Sequence, residues 1–191
     1  MRRIGITGGI GSGKSVVSHL LRVMGYPVYD TDTEAKRLMN ASPELKRQIA
    51  EAFGSDIYAQ GTLDRALLAS RVFGNPERIA RLNSIVHPAV RLDFDRWASA
   101  LNTPLCFVES AILYDSGFDQ LVDDVWVVTA PEALRIKRVG DRSGLAPDEV
   151  RRRMAAQLSD SEIQQRASHI IRNDGNTSLI GKVLSLLRRQ E

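Results

Sequence analysis

The chain has 191 residues, of which 43% are hydrophobic, 26% charged and 6% aromatic. These proportions are those of an ordinary globular domain, and they exclude a disordered, collagen-like or disulfide-stapled protein. The longest unbroken hydrophobic runs, such as Leu105 to Val108, have four residues, whereas a membrane-spanning helix needs roughly 20. The net charge of +3 is too small to indicate a partner by itself.

The excess positive charge is concentrated in one segment. Between Glu132 and Arg153 there are seven Arg or Lys and four Asp or Glu, so this segment alone carries a net charge of +3. Such a segment is typical of a solvated surface, a phosphate clamp or a nucleic-acid patch. The neutral remainder of the chain and its eleven aromatic residues argue against a long nucleic-acid track.

The N-terminus and the single cysteine indicate the compartment. Glycines follow Arg2 and Arg3 where a secretory signal would need an apolar run. Cys106 lies in an apolar stretch and has no second cysteine to pair with, so it is predicted to be buried. We therefore expect a cytoplasmic protein that binds neither membrane nor nucleic acid, and the sequence leaves the oligomeric state open.

The first 30 residues predict a parallel βαβ unit. A strand is expected over residues 3–7, a helix over 13–24 with Gly25 ending it, and a second strand over 26–29. Strand, helix and strand in so short a span are typical of parallel sheets.

The rest of the chain alternates between helical and strand-like patterns. Helices are expected over residues 33–39, 43–53, 64–73, 76–86 and 88–101, with Pro43, Pro76 and Pro88 in first-turn positions. Continuous apolar runs predict buried strands over 105–108 and 124–129. Further helices are expected over 131–139, 147–158 and 160–167, a last strand over 168–172 and a terminal helix over 177–189. The glycine-containing stretch 140–144 is expected to break the helical pattern and form the turn of a mobile hairpin.

A phosphate-binding loop follows the first strand. The run Gly8-Gly9-Ile10-Gly11-Ser12-Gly13-Lys14-Ser15 fits the pattern G-x-x-x-x-G-K-[ST], and Val16 continues into the predicted helix. Backbone N–H groups and the helix dipole then converge on an anion. Lys14 can reach the β and γ phosphates, and the Ser15 hydroxyl can ligate Mg²⁺. A dinucleotide-binding fold is excluded because the glycine spacing is G-x-G-x-G and that fold has no use for the Lys-Ser pair.

Four other sets of residues are candidates for the site. Asp30 and Asp32 follow the second strand, where a carboxylate can act as a general base or cap a helix. His87 is a weaker candidate, since a buried or capping histidine is the commoner case. Arg138 precedes the glycine-containing stretch and Arg142 lies within it, and both can reach phosphates or remain surface charges. The run from Asn173 to Gly175 is equally consistent with a plain turn and with a contact to a nucleotide base.

Taken together, these motifs resemble those of the dephospho-coenzyme A kinase family. The residues that carry the resemblance extend over nearly the whole chain: Ile6-Thr7-Gly8-Gly9-Ile10-Gly11-Ser12-Gly13-Lys14-Ser15, Asp30-Thr31-Asp32 with Ala35 and Arg37, Leu82-Asn83-Ser84-Ile85-Val86-His87-Pro88, Arg142-Ser143-Gly144-Leu145, Gln157, and Ile171-Arg172-Asn173-Asp174-Gly175. The combination is specific, although no single motif is.

The resemblance implies a three-part α/β molecule with the P-loop NTPase fold. Its core, a five-stranded parallel sheet, would comprise residues 1–32, 102–131 and 166–191. A helical substrate subdomain would span 33–101, and a helical lid 132–165. The implied enzyme transfers the γ-phosphoryl of MgATP to the 3′-hydroxyl of dephospho-CoA, the last step of coenzyme A biosynthesis.

Site roles follow from the same resemblance. Asp32 would be the base or hydroxyl-orienting group, His87 and Arg91 would lie in the substrate subdomain, and Asn173 would approach the adenine. Arg138 and Arg142 would be lid arginines. The chain reads Ala111-Ile112-Leu113-Tyr114-Asp115 where the family usually has Pro-Leu-Leu-Phe-Glu, so any substrate contact of that loop is in doubt.

Three other functions compete with this one. A nucleoside-monophosphate kinase would share the core, the lid and the need for Mg²⁺. A GTP-driven switch would need an Asn-Lys-x-Asp run for guanine, and the sequence has none. A nucleic-acid-binding ATPase would need a polyanion track that the charge distribution does not supply.

Overall fold

The computed structural model describes residues 1–190, and its central element is a parallel β-sheet. The strands are β1 (Arg2–Thr7), β2 (Val28–Asp30), β3 (Leu105–Glu109), β4 (Asp124–Thr129) and β5 (His169–Arg172), in the order β2-β3-β1-β4-β5. This confirms the predicted α/β fold with a five-stranded parallel sheet. The strand that leads into the glycine-rich loop lies in the middle of the sheet, so strands on both sides end next to it.

Helices connect the strands. They are α1 (Lys14–Val23), α2 (Thr31–Ala41), α3 (Pro43–Phe53), α4 (Arg65–Val72), α5 (Pro76–Ser99), α6 (Glu132–Ser143), α7 (Pro147–Ala155), α8 (Asp160–Gln165) and α9 (Leu179–Leu187), with single 3₁₀ turns at Ser55–Tyr58 and Phe118–Leu121. Within residues 1–190 no helix combines the length and the apolar character needed to cross a bilayer.

The chain divides into two compact units. One, the sheet unit, comprises Met1–Tyr29 and the chain from Thr103 onward, and the other, the helical unit, comprises Asp30–Asn102. The helical unit contains α2, α3, α4 and α5.

The core of the sheet unit explains its continuous apolar strands. Phe107 on β3 and Trp126 on β4 are fully buried and meet edge to face, with ring centroids 5.3 Å apart. Val17 and Leu21 cover one face from α1, and Val183 and Leu186 belong to the same cluster from α9. All five residues of β3 and the four central residues of β4 are buried, so neither strand has a solvent side and neither alternates. Cys106 is buried in β3, as predicted, and burial raises the pKa of its thiol.

The helical unit packs around α5. Its buried face carries Val86, Val90 and Phe94, which lie at i, i+4 and i+8 along the helix. On the surface of this unit, Arg37 of α2 and Asp93 of α5 form an ion pair of 2.7 Å.

Two predicted helix breaks are wrong. Helix α5 continues through Pro88, because its apolar face runs on without interruption and because Pro88 is exposed, so water can reach the carbonyl that loses its partner. Helix α6 continues through Gly140 to Ser143 and ends at Gly144, whose φ of 68° closes it. The predicted break at 140–144 is therefore reduced to the connection between Ser143 and Pro147.

Candidate functional site

The loop between β1 and α1 presents backbone groups to an anion. Gly13 is the N-cap of α1 with φ 97°, and α1 has neither a side-chain cap nor an acidic residue in its first turn. Its positive end is therefore not neutralised by the protein itself. A side chain at Gly13 would also place Cβ 2.0 Å from Nδ2 of Asn173, so both the left-handed conformation and the close approach require glycine.

Lys14 extends its side chain back along the loop. Its Nζ donates to the carbonyl oxygens of Gly8 at 2.7 Å and Gly9 at 3.3 Å. The ammonium group therefore lies within the loop, where a point charge with three donors can attract phosphate oxygens. Val16, one residue beyond Ser15, is largely exposed in α1.

Ser15 contacts a residue that lies outside the glycine-rich motif. Its hydroxyl donates to Oε1 of Glu109, the last residue of β3, at 2.9 Å. Glu109 is 8% exposed, and its other carboxylate oxygen is buried without a hydrogen-bond partner among residues 1–190. The signal in the sequence was an acidic residue at the end of an otherwise apolar strand.

These two side chains supply the kind of ligands that Mg²⁺ prefers. A hydroxyl and a carboxylate are hard oxygen donors, and protein-bound Mg²⁺ commonly has one or two carboxylates together with waters and substrate phosphates. The unpartnered oxygen of Glu109 leaves a buried lone pair that a cation would satisfy. The residues present therefore fit a magnesium site.

Asn173 and Arg138 meet at the loop. Asn173 follows β5, and its Nδ2 donates to the carbonyl oxygen of Ser12 at 2.9 Å. Nη2 of Arg138 on α6 is 3.4 Å from Oδ1 of Asn173, and its Nη1 is buried without a partner in the described part of the chain. Arg142 is exposed one turn further along the same helix.

The remaining residues of this turn have a structural role. Asp174 accepts the backbone N–H groups of Asn176 and Thr177, each at 2.9 Å. These bonds, that of Thr177 first, hold the pKa of Asp174 below its usual value. The stretch from Asn173 to Gly175 is thus a turn, while the side chain of Asn173 is turned to the phosphate loop.

Two further residues form hydrogen bonds to the backbone of the phosphate loop, and the sequence alone assigned a role to neither of them. Arg135 on α6 donates from Nε to the carbonyl oxygen of Ile10 at 2.9 Å. Gln157, after α7, accepts the N–H of Ile10 at 2.9 Å. An arginine in a basic amphipathic helix is usually a surface charge, so the sequence offered no signal for the burial of Arg135.

Four of the predicted site residues belong to the helical unit. Asp30 is the N-cap of α2 and accepts the N–H of Thr33 at 3.0 Å. Asp32 is exposed in the first turn of α2. His87 and Arg91 lie one turn apart on α5, each half-buried.

The loop after β3 differs from the pattern of the resembled family at Tyr114. The hydroxyl of Tyr114 donates to the carbonyl oxygen of Arg166 at 2.9 Å, a bond that phenylalanine cannot make. The Arg166 guanidinium lies 3.8 Å above the ring and also pairs with Asp119 at 3.0 Å. Burial raises the pKa of the Tyr114 hydroxyl. This loop therefore anchors the chain between α8 and β5.

Comparisons with known proteins agree with these features. A family model described as dephospho-CoA kinase matches residues 2–178. A dephospho-CoA kinase of Bacteroides fragilis is 41% identical over 186 residues, which is 97% of this chain and 91% of that protein.

Solved structures share the fold of this chain. The crystal structure of TT1252 from Thermus thermophilus has a TM-score of 0.84 at 40% identity and covers 99% of this chain and 97% of that one. A dephospho-CoA kinase from Campylobacter jejuni, at 24% identity with a TM-score of 0.72 and coverage of 99% and 97%, shares the fold. The chain belongs to the dephospho-CoA kinase family.

Proposed function

We propose that this protein transfers the γ-phosphoryl of ATP to the 3′-hydroxyl of dephospho-CoA, producing CoA and ADP in the last step of coenzyme A biosynthesis. The observation that carries the proposal is the uncapped N-terminus of α1 behind a glycine-rich loop, in a chain of this family. Such a terminus binds a triphosphate through backbone N–H groups.

The phosphates would be held by Lys14 and Ser15. Lys14 would exchange its bonds to the loop carbonyls for phosphate oxygens. Ser15 and Glu109 would hold Mg²⁺, which when bound would neutralise charge on the β and γ phosphates. The paired hydroxyl and the unpartnered carboxylate oxygen support this assignment.

Arg138 and Arg142 would stabilise charge on the transferring group. The buried Nη1 of Arg138 has no partner within residues 1–190, and a buried, unsatisfied guanidinium N–H is costly unless an anion completes it. Arg142 is exposed on the same helix and would reach the phosphates from solvent. Residues 132–165 would be the lid that carries both.

The acceptor would be bound by the helical subdomain, residues 33–101, and the core would comprise 1–32, 102–131 and 166–191. Asp32 would orient the attacking hydroxyl and accept its proton as the new P–O bond forms and ADP leaves. His87 and Arg91 would contact the substrate. The exposed carboxylate of Asp32 and the spacing of His87 and Arg91 on α5 support these roles. Asn173 would approach the adenine, and a cytoplasmic location stays a prediction.

The test is ADP release by the purified protein with MgATP. Dephospho-CoA, AMP, CMP, adenosine and no acceptor are compared, and CoA is identified by mass. Turnover that depends on dephospho-CoA would support the proposal. Turnover with a nucleoside monophosphate instead would refute the assigned acceptor while keeping the phosphate loop. If none of the acceptors is phosphorylated, the assignment of this protein as a kinase is refuted.

A further inference from the structure

Arg135 is a buried charge in contact with the phosphate loop. Its side chain is 4% exposed, and it forms an ion pair with Asp160, the first residue of α8. A buried guanidinium destabilises a protein unless its donors are used. Here Nε is used by the carbonyl oxygen of Ile10 and Nη1 by Asp160.

The peptide groups of Ile10 are held on both sides by the segment that contains α6 to α8. Arg135 donates to the carbonyl oxygen of Ile10, and Gln157 accepts its N–H. The N–H of Ile10 is therefore engaged by the protein, and the orientation of this residue is set by the two side chains.

The loop and Arg135 are packed without a gap. A side chain at Gly9 would place its Cβ 2.1 Å from Nη2 of Arg135, and one at Gly11 would place it 2.7 Å from the carbonyl oxygen of Arg135. These two glycines are thus needed for the close approach of α6. A displacement of the guanidinium would have to move the loop with it, because buried groups at such contact cannot shift independently.

We propose that Arg135 is a positioning residue for nucleotide binding, which fixes the phosphate loop at Ile10 and joins it through Asp160 to the start of α8. The proposal rests on the proposed function for its catalytic consequence, but its first consequence is nucleotide affinity. The loop must present several N–H groups to phosphates at once. A loop whose Ile10 is not held by Arg135 would lose more conformational entropy when it binds nucleotide, and its affinity would therefore be lower.

Three substitutions separate the two bonds of Arg135. Arg135→Met keeps an unbranched side chain as far as the position of Nε and loses both bonds. Arg135→Gln places Nε2 where the Nε of arginine stands, so it can keep the bond to Ile10 while losing the ion pair. Asp160→Asn weakens the ion pair from the other side. Arg153→Gln removes a solvent-exposed pair on α7 and is the matched control.

Dissociation constants for MgADP are measured by calorimetry at 25 °C, together with the thermal midpoint of each variant. We expect Arg135→Met to weaken ADP binding about 10-fold, in line with the loss of charge-assisted hydrogen bonds that order the site. Arg135→Gln and Asp160→Asn should each weaken it about 3-fold, and Arg153→Gln should leave it unchanged. The KM for ATP should follow these constants, while the KM for the acceptor stays the same.

Other outcomes would overturn the proposal. Unchanged ADP affinity in a folded Arg135→Met protein, with or without a lower thermal midpoint, would show that Arg135 serves stability alone. If Arg135→Met does not fold, the comparison of Arg135→Gln with Asp160→Asn decides, because normal affinity in both would exclude a role for the ion pair. Failure of the unsubstituted protein to phosphorylate dephospho-CoA would refute the proposed function, and the ADP constants would still decide the role of Arg135.

Discussion

The substitution Glu109→Gln should raise the stability of the protein without nucleotide while destroying its response to Mg²⁺. Glu109 is 8% exposed, and one of its carboxylate oxygens has no partner in the described part of the chain. A buried polar atom left unpaired costs about 1–3 kcal/mol, more when it is charged. Glutamine keeps an oxygen for the Ser15 hydroxyl, now 2.9 Å from Oε1, and removes the charge.

The expected gain is smaller than that cost because the amide N–H groups of glutamine would themselves lack partners. A net stabilisation of about 1 kcal/mol corresponds to a rise of roughly 2–4 °C in the thermal midpoint of a chain of this size. With MgADP bound, the unsubstituted protein should instead have the higher thermal midpoint. At 100 times its dissociation constant a ligand stabilises by about 2.7 kcal/mol, and the variant should lose most of that increment because a metal ligand is gone.

Differential scanning calorimetry with and without MgADP measures both effects, and turnover of Glu109→Gln should fall by about 10²-fold or more. Glu51→Gln, on the exposed face of α3, is the control and should change the midpoint by less than about 1 °C. A Glu109→Gln protein that is less stable without nucleotide, or that keeps its full response to MgADP, would refute the reasoning.

Three further substitutions test separate parts of the site. Asp32→Asn should lower turnover about 10²-fold with a nearly normal KM for ATP, and unchanged turnover in the coupled ADP assay would exclude its role as base. Lys14→Ala should lower both ATP affinity and turnover, so intact ATP binding by calorimetry would contradict the assignment of the loop. Tyr114→Phe should remove the bond to the Arg166 carbonyl, 2.9 Å long, and keep the stacking. It should cost about 1 kcal/mol, or roughly 2–4 °C in thermal midpoint, and a midpoint equal to that of the unsubstituted protein would show that the bond contributes nothing.

The features that the sequence predicted well are those encoded over short spans. The strand before Gly8 and the helix after Gly13 can be assigned because alternation, glycines and helical spacing lie next to one another. The continuous apolar runs of β3 and β4 follow directly from burial on both faces. The cap of α2 at Asp30, one of the two roles that the sequence allowed for this residue, is equally local, since its partner Thr33 is three residues away.

The contacts missed by sequence reasoning join residues far apart in the chain. Glu109 and Ser15 are separated by 94 positions and Arg135 and Ile10 by 125, so no local pattern signals either pair. The wrong breaks at Pro88 and Gly140 have a different cause. Both residues are poor helix formers. The buried face of α5 continues past Pro88 to Val90, Phe94 and Ala98, and there tertiary packing outweighs local propensity. Helix α6 has no buried residue beyond Gly140 and ends one turn later at Gly144.

The bond from Asn173 to Ser12 has a consequence for the order in which the protein can acquire its activity. The glycine-rich loop is the first motif to leave the ribosome, yet the residues that hold it stand 125, 147 and 161 positions later. Contacts of such long range form late, because a long stretch of chain must be closed before they contribute. A nascent chain therefore carries the loop sequence through most of its synthesis without the side chains that shape it, and the last of these contacts can form only when Asn173, after β5, has emerged.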